Sequence, residues 1–442
     1  MTTALTSFYN KRITVAGLGH FGGGVAVSRW LAVQGARVLV TDKEPAEKFG
    51  EQIQQLAGLD IEFRLGEHRD DDFVSADLVV VNPAIPPSNP YLKVAVAAGV
   101  PITTEIGLFI ERCPATILGV TGTKGKSTTT KLLSLMLEAK YKVWTGGNIG
   151  VSLLVNLPQI RKTDLVVLEL SSFMLEHLRP MEWSPHVAVV NMITLDHIAW
   201  HGSEEAYVDA KRNIVRFQRP NDVAVLSEVN DRSASFSRDT VARVVKYGTA
   251  RRRAFELAIP GHHNQLNAQA AFAAVDVMGV DWDDAQRAVR DFPGLPHRLQ
   301  LVHTTENGVR FFNDSIATVP EAAVAALDSF PAKRVIQIVG GSDKGLSITA
   351  MCAALAERAK AVLCVGQMGV SVERTIGESP LTQRASVYAC GDLATAVNMA
   401  KQIAAQGDVV LLSPGFASYD QFTNFQERGD QFARLARGEK PI

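Results

Sequence analysis

Short apolar runs recur along the whole chain, separated by amphipathic stretches. The runs are Ile13–Ala16, Val38–Val40, Leu78–Val81, Ile117–Val120, Leu165–Leu170, Val187–Asn191, Val223–Leu226, Val335–Val339, Val362–Val365 and Val409–Leu412. They are nearly continuous in hydrophobicity rather than alternating. A strand with one face in water alternates, whereas a strand covered on both faces does not. The runs therefore predict parallel strands buried between helical layers. Stretches such as Thr128–Ala139 and Ala353–Lys360 predict the helices between them. Regular exchange of the two element types predicts an α/β fold built from more than one open sheet.

The chain has 442 residues, too many for one core and enough for two or three domains. Two seams rich in breakers, Glu111-Arg-Cys-Pro114 and Phe292-Pro-Gly-Leu-Pro296, divide it into segments 1–112, 113–297 and 298–442. Hydrophobic residues make up 46% and charged residues 21%, which excludes a disordered chain. Lys plus Arg number 45 against 46 Asp plus Glu, a net charge of -1. That balance argues against a general nucleic-acid binder or a membrane-surface protein. No run approaches the ~18 apolar residues of a membrane span. The first residues, MTTALTSFYNKR, lack the basic-then-apolar order of a secretory leader. Cys113, Cys352, Cys364 and Cys390 form no CxxC pair and stand at no zinc spacing. Buried free thiols in the cytoplasm are expected.

The strongest chemical signal is Gly119-Val-Thr-Gly-Thr-Lys-Gly-Lys-Ser-Thr128, which follows a strand and opens a helix. Glycines let backbone N–H groups wrap phosphate oxygens, and the helix N-terminus adds a favourable dipole. Lys126 can reach the β- and γ-phosphates, and the Ser127 hydroxyl can ligate Mg²⁺. Val120 stands where the usual phosphate-loop spacing has a glycine, so the working loop reads Gly122-Thr-Lys-Gly125-Lys-Ser. The competing reading is a glycine turn with incidental lysines. Glu169 closes a strand downstream of this loop, where a carboxylate can hold Mg²⁺, and Asp196-His197 follows the next strand.

A second loop, Gly17-Leu-Gly-His-Phe-Gly22, lies between a strand and a helix, with Asp42 at the end of the next strand. The spacing matches a dinucleotide fingerprint, but it reports a diphosphate and not the molecule that carries it. NAD and a UDP-sugar both fit. In Gly261-His-His-Asn-Gln-Leu-Asn267, Asn264 and Asn267 are three apart and can share a helical face. An asparagine amide can read an adenine edge, or simply cap a helix. His262 and His263 have no third partner at metal spacing. The last segment carries Pro296-His-Arg298, Phe312-Asn-Asp-Ser315, Gly340-Gly-Ser-Asp-Lys344 and Ser413-Pro-Gly-Phe-Ala-Ser-Tyr-Asp-Gln-Phe-Thr-Asn-Phe425. Cations in such loops can bind phosphate or carboxylate, or be ordinary surface charge.

Taken together, GTKGKST, GGNIG, LELSSFMLE, Asp196-His197, GHHNQLNA, GLPHR, NDSIAT, GGSDK and LLSPGFASYDQFTNFQERG resemble the Mur ligase family over essentially the whole chain. The final stretch is similar to the branch that adds glutamate. The resemblance implies three domains: a Rossmann-like N-terminal domain for a UDP substrate, a central P-loop ATP-binding domain with a parallel sheet, and a C-terminal α/β Rossmann-like domain for glutamate. It also implies an ATP-dependent amide ligase adding D-glutamate to UDP-N-acetylmuramoyl-L-alanine through an acyl phosphate, in cytoplasmic peptidoglycan precursor synthesis. The alternatives are the same reaction with L-glutamate and, from a different class, an NAD-dependent oxidoreductase built on Gly17–Gly22. A monomer acting on small molecules is expected, with ATP and two Mg²⁺.

By motif match, the resemblance assigns Gly122, Thr123, Lys124, Gly125, Lys126, Ser127 and Thr128 to ATP phosphate. Asn264 and Asn267 would lie near adenine, with Arg298 and Asp314 closing the nucleotide site. Ser127, Glu169, His197 and a carbamylated Lys211 would hold metal. Gly17, Leu18, Gly19, His20, Phe21, Gly22 and Asp42 would serve UDP, and Asn148 the muramoyl group. Thr318, Lys344, Ser418 and Phe425 would cradle glutamate. The family often has a lysine where Ile316 stands here, so a positive group there is absent or comes from elsewhere, Lys124 or Lys344 being the candidates.

Overall fold

The computed structural model describes residues 7–20, 22–150, 152–248, 253–382 and 384–440. Among them are three sheets, each with helices on both faces, giving the three-domain α/β architecture the alternation predicts.

The first sheet contains β1 (Arg12–Ala16), β2 (Arg37–Asp42), β3 (Ile61–Leu65), β4 (Leu78–Val81) and β5 (Ile102–Thr103), in the order β3-β2-β1-β4-β5. The second contains β6 (Thr116–Thr121), β7 (Val143–Gly147), β8 (Leu165–Glu169), β9 (Val187–Val190), β10 (Val223–Ser227) and β11 (Arg243–Tyr247), in the order β11-β10-β9-β6-β8-β7. Every pairing in both is parallel. The third contains β12 (Gln300–Thr304), β13 (Arg310–Asn313), β14 (Val335–Gly340), β15 (Ala361–Val365), β16 (Ser386–Gly391) and β17 (Val409–Leu412), in the order β12-β13-β17-β14-β15-β16. This sheet is mixed: the strands predicted from its apolar runs pair in parallel, as expected. β12 runs antiparallel to β13, with a register shift between Leu301 and His303. The two strands are joined by a short turn, which reverses the chain without a helical crossover.

The described chain packs as two compact units. The first holds residues 1–255 and 266–288, and therefore the first two sheets. One apolar core runs through it from Val15 and Leu31 by way of Phe109 and Leu154 to Val166 and Val190. The second unit holds 256–265 and 289–442. Its sheet is covered on both faces: Val335 and Val339 of β14 point into one core, Ile336 and Ile338 into the other. That period of two explains why a continuous apolar run was needed there. The predicted helices sit at Lys126–Glu138 and Thr349–Arg358, shifted toward the N-terminus by two residues or more at their starts. All four cysteines are free, and three are buried; Cys113 is only half-buried, against the expectation for it.

Candidate nucleotide and substrate site

Parallel sheets place their loops at the carboxyl ends of the strands, and ligands bind where neighbouring loops diverge. In the first sheet the loop after β1 occupies that position, between β2 and β4. Asp42, the last residue of β2, braces it: the Leu18 N–H donates to Oδ2 at 2.8 Å, and the Glu44 N–H donates to Oδ1 at 3.0 Å. The carboxylate thus shapes the loop through the loop's own amides. His20 stacks on Phe49 at 5.0 Å and bonds Glu44 at 2.7 Å. Gly22 caps the helix Gly23–Val33 in a left-handed conformation. Phe21 lies outside the described residues.

The loop after β6 carries residues 122–128, the stretch expected to cradle phosphate. Gly125 caps the helix Lys126–Glu138 with φ of 85°. A Cβ there would overlap Asn267 Oδ1 and come within 3.0 Å of Asn191 Nδ2, so only glycine fits. Thr123 ties the loop to the segment after β9. Its N–H donates to the Met192 carbonyl at 2.8 Å, and its hydroxyl meets the Thr194 carbonyl at 3.0 Å and the Tyr207 hydroxyl at 2.7 Å. Lys126 Nζ donates to the Thr123 carbonyl at 3.0 Å, so its ammonium lies over the loop. Lys124 is exposed and Ser127 half-buried on the first helical turn, with Thr128 buried behind it. Asn267 accepts from Asn191 Nδ2 at 3.1 Å, which places it against the loop. Asn264 instead donates to the Pro260 carbonyl at 2.6 Å, the behaviour of a residue tying down a helix start.

Glu169 ends β8 opposite Val120 of β6. It is 2% exposed. Its Oε1 accepts from Asn148 Nδ2 at 2.8 Å, and its Oε2 is buried without a hydrogen-bond partner. A buried carboxylate oxygen with no donor is costly, and a hard cation supplies what is missing. Lys211 is equally buried, at 2%. Its Nζ donates to the Gly122 carbonyl at 2.9 Å and lies 4.9 Å from the Tyr207 ring centre. Burial, aided by the Lys126 charge, holds the amine well below the ordinary lysine value, while Asp196 and Glu169 pull the other way. His197 adopts φ of 52°, pairs with Asp196 at 3.5 Å and rests on Phe173 at 4.8 Å, with about half of its side chain exposed. Among the described residues no three His, Cys, Asp or Glu side chains form a complete metal cluster. A cation here would need Glu169 together with hydroxyl, phosphate or modified-lysine ligands.

The second unit gathers a different group. Asp314, just past β13, is 6% exposed. It accepts from Ser413 Oγ at 2.8 Å and from the Leu299 N–H at 3.1 Å. Burial nevertheless pushes its carboxyl up to about 6, against the pull of Ser413, Leu299 and Arg298. Arg298 itself is exposed. Lys344 Nζ donates to the Thr318 carbonyl at 3.3 Å, joining two residues assigned to glutamate. Ser418 is buried, and its carbonyl accepts from the Phe422 N–H at 2.8 Å. The Phe425 carbonyl accepts from Ser315 Oγ at 2.8 Å. Ile316 is half-buried.

Four residues were missed. Tyr207 and Lys211 lie four apart on the helix Glu204–Arg216, a spacing that puts both on one face and could have flagged the tyrosine. Asn191, just past β9, also sits where a polar side chain reaches a loop. Arg428 is 3% exposed and donates to the Ser315 carbonyl at 2.9 Å, to Ser315 Oγ at 3.0 Å and to the Phe416 and Ala417 carbonyls at 3.1 and 3.3 Å. Nothing in the sequence separates it from a surface arginine. Ser413 was quoted only as the start of a motif.

Three family models match the chain: a Mur ligase MurD-like N-terminal domain over residues 11–104, a Mur ligase middle domain over 120–256 and a Mur ligase glutamate ligase domain over 297–416. A UDP-N-acetylmuramoylalanine--D-glutamate ligase of a Roseiflexus species is 42% identical over 96% of this chain and 98% of its own. The ligase of the same name from Acetivibrio thermocellus is 37% identical over 98% and 99%. Among solved structures, UDP-N-acetylmuramate-alanine ligase from Thermotoga maritima shares the fold with a TM-score of 0.59 at 21% identity, covering 98% of this chain and all of that one.

Proposed function

The chain belongs to the Mur ligase family, and on that premise we propose that it joins D-glutamate to UDP-N-acetylmuramoyl-L-alanine, with ATP converted to ADP and phosphate. The terminal carboxylate of the sugar-peptide attacks the γ-phosphorus, the bond to ADP breaks, and an acyl phosphate forms. The amine of glutamate then attacks the acyl carbon. Phosphate leaves with the bonding pair, and the amine proton is lost. The reaction is an acid–amino-acid ligation in peptidoglycan precursor synthesis.

The protein's part is placement and charge neutralisation. Gly122–Thr128 wrap the triphosphate, and Lys126 turns from the Thr123 carbonyl to the β- and γ-oxygens. The brace between Thr123, Tyr207 and Thr194 keeps the loop open for phosphate. Asn264 and Asn267, with Arg298 and Asp314, are assigned to the nucleotide. Residues 17–22, shaped by Asp42, take the UDP diphosphate, and Asn148 takes the muramoyl end. Thr318, Lys344, Ser418 and Phe425 take glutamate. On this reading, segments 1–112, 113–297 and 298–442 serve UDP, ATP and glutamate in turn. The enzyme is a cytoplasmic monomer without nucleic-acid or membrane partners. Among the described residues no helix is long and apolar enough to cross a membrane.

The observation that carries the reading is the buried, unpartnered Oε2 of Glu169, one strand over from the phosphate loop. It fits Mg²⁺. Glu169, Ser127, His197 and Lys211 as a carbamate would hold the ion, which when bound neutralises charge on the phosphate oxygens. Burial lowers the basicity of the Lys211 amine and so favours the neutral form, whose lone pair reaction with CO₂ requires.

The test is incubation with ATP, UDP-N-acetylmuramoyl-L-alanine and each glutamate enantiomer, with product read by mass. D-glutamate should give amide, ADP and phosphate. Product with L-glutamate alone reverses the stereochemical assignment, and no glutamate-dependent ADP with either refutes the reaction. Lys126→Ala should abolish turnover in a folded protein.

A further inference from the structure

Two side chains on short helices that follow strands of the second sheet, Ser172–Leu178 and Ile198–His201, donate to consecutive carbonyls of the first domain. Trp200 Nε1 donates to the Ala84 carbonyl at 2.8 Å, and His177 Nε2 meets the Ile85 carbonyl at 2.9 Å. A carbonyl only accepts, so His177 carries its proton on Nε2. Its burial depresses its basicity, so it donates as a neutral ring. Neither residue has a part in the ligation described above.

What they hold is a turn. The Ile85 N–H donates to the Asn82 carbonyl at 2.9 Å, and the Ala84 N–H to Asn82 Oδ1 at 3.0 Å. Asn82 in turn donates its N–H to the Ala16 carbonyl at 2.8 Å, and it forms the wall of the glycine loop. A Cβ on Gly17 would lie 2.8 Å from Asn82 Cβ. On the other side, Trp200 packs on Phe173 at 4.6 Å and on His201 at 4.4 Å. His201 meets the Tyr207 ring at 5.4 Å, and the Tyr207 hydroxyl reaches Thr123 of the phosphate loop. Packed rings and hydrogen bonds thus run without a gap from one loop to the other, all inside the first compact unit.

We propose that Trp200 and His177 are positioning residues that hold the Asn82–Ile85 turn, and through it the 17–22 loop, in the shape that binds the sugar nucleotide. The inference rests on the assignment of 17–22 to UDP. The loop's floor is a turn with no sheet pairing of its own, and its two outward carbonyls depend on donors from the neighbouring domain. Releasing them loosens the loop without disturbing the phosphate cradle, which keeps its own bonds to Met192 and Thr194.

The test compares Trp200→Phe, His177→Phe and the double variant with the wild type. Phenylalanine retains an aromatic ring and removes the donor; at position 200 it also gives up the second ring of the indole, a packing change that the ATP-analogue constant monitors. Dissociation constants for UDP-N-acetylmuramoyl-L-alanine and for a non-hydrolysable ATP analogue are measured by calorimetry. Each lost bond should weaken sugar-nucleotide binding about five-fold and the pair more than ten-fold, with analogue binding within two-fold. His177→Gln, which restores an N–H donor, should recover most of the loss. An unchanged sugar-nucleotide constant in the double variant overturns the proposal. So does an equal loss for both ligands, which marks general damage. A wild-type protein that binds the ATP analogue but not the sugar nucleotide overturns the UDP assignment itself, and this inference with it. Should the double variant fail to fold, the single variants and the glutamine rescue decide alone.

Discussion

Lys211 Nζ donates to the Gly122 carbonyl from a site that water does not reach. An amine held below its ordinary value binds fewer protons in the folded protein than in the unfolded chain. Stability therefore rises with pH until the ordinary lysine value of about 10.4 is reached, and at neutral pH the buried amine is a penalty. Lys211→Met should remove that penalty and the chemistry together. In CO₂-free buffer the variant is expected to melt higher than wild type near neutral pH, with the gap closing toward pH 10, while turnover falls by more than about a hundredfold. Thermal melts across pH and an ADP-release assay check both halves. A variant that melts lower at neutral pH would show that the bond to Gly122 outweighs the cost of burial.

Asp314 titrates in the opposite sense. Its carboxyl is pushed up to about 6, so between about pH 4 and 6 the folded protein holds the proton more tightly than the unfolded chain does. Stability falls as pH rises through that window and stays reduced above it. Asp314→Asn keeps Oδ1 as the acceptor for the Leu299 N–H and reverses the Ser413 contact, its Nδ2 donating to the hydroxyl, and it has no charge to bury. Its stability relative to wild type should rise by about 1 kcal/mol between pH 5 and 7.5, read from urea melts at the two values. Parallel pH curves for the two proteins would place the titration elsewhere.

The ten strands visible as apolar runs are all interior strands of their sheets. The six edges, β3, β5, β7, β11, β12 and β16, were all missed, and so was β13. Edge strands are half-solvated, and Arg-Val-Val-Lys-Tyr at β11 or Ser-Val-Tyr-Ala-Cys-Gly at β16 has no continuous run to find. The antiparallel turn of β12 was hidden for the same reason. The candidate site's layout was legible where a residue type recurs at a fixed spacing, as in Gly122–Ser127, or stands at a strand end, as with Glu169 beside that loop's strand. It was illegible where a residue acts on backbone. The donors on Ala84 and Ile85 and the four bonds of Arg428 leave no pattern in their own neighbourhoods, because their partners lie far away in the chain.

Arg428 is a buried cation with carbonyl and hydroxyl partners. Burial lowers its guanidinium to about 10, with Asp420 opposing, so it stays charged at neutral pH. Its loss strands the carbonyls of Ser315 and Phe416 in a dry interior, while the Ala417 carbonyl keeps the Ser342 N–H at 2.9 Å. Arg428→Met should cost about 3 kcal/mol in denaturant melts. Because Phe416 and Ala417 lead directly to Ser418, the KM for glutamate should rise by more than the KM for ATP. Arg428→Lys keeps the charge but not the fork of donors and should recover less than half of the stability. Full recovery with lysine would mean that charge, and not the pattern of bonds, holds the loop.

Gly125 offers the sharpest test of the phosphate cradle. Its backbone at φ of 85° strains any side chain, and an added methyl would overlap the Asn267 amide and crowd Asn191. Those two asparagines are already joined at 3.1 Å, and Asn191 is bonded to Thr129 at 2.8 Å, so neither can move without breaking a bond in a buried cluster. Gly125→Ala should therefore lose about 2 kcal/mol of stability. It should also weaken ATP-analogue binding by more than ten-fold, because the loop's N–H groups no longer converge on one point. Sugar-nucleotide binding should stay within two-fold of wild type, since the 17–22 loop is braced by Asp42 and Asn82 and not by Gly125. Calorimetry with the two ligands separates these effects. Retained analogue affinity in the alanine variant would mean that the triphosphate is held somewhere other than this loop.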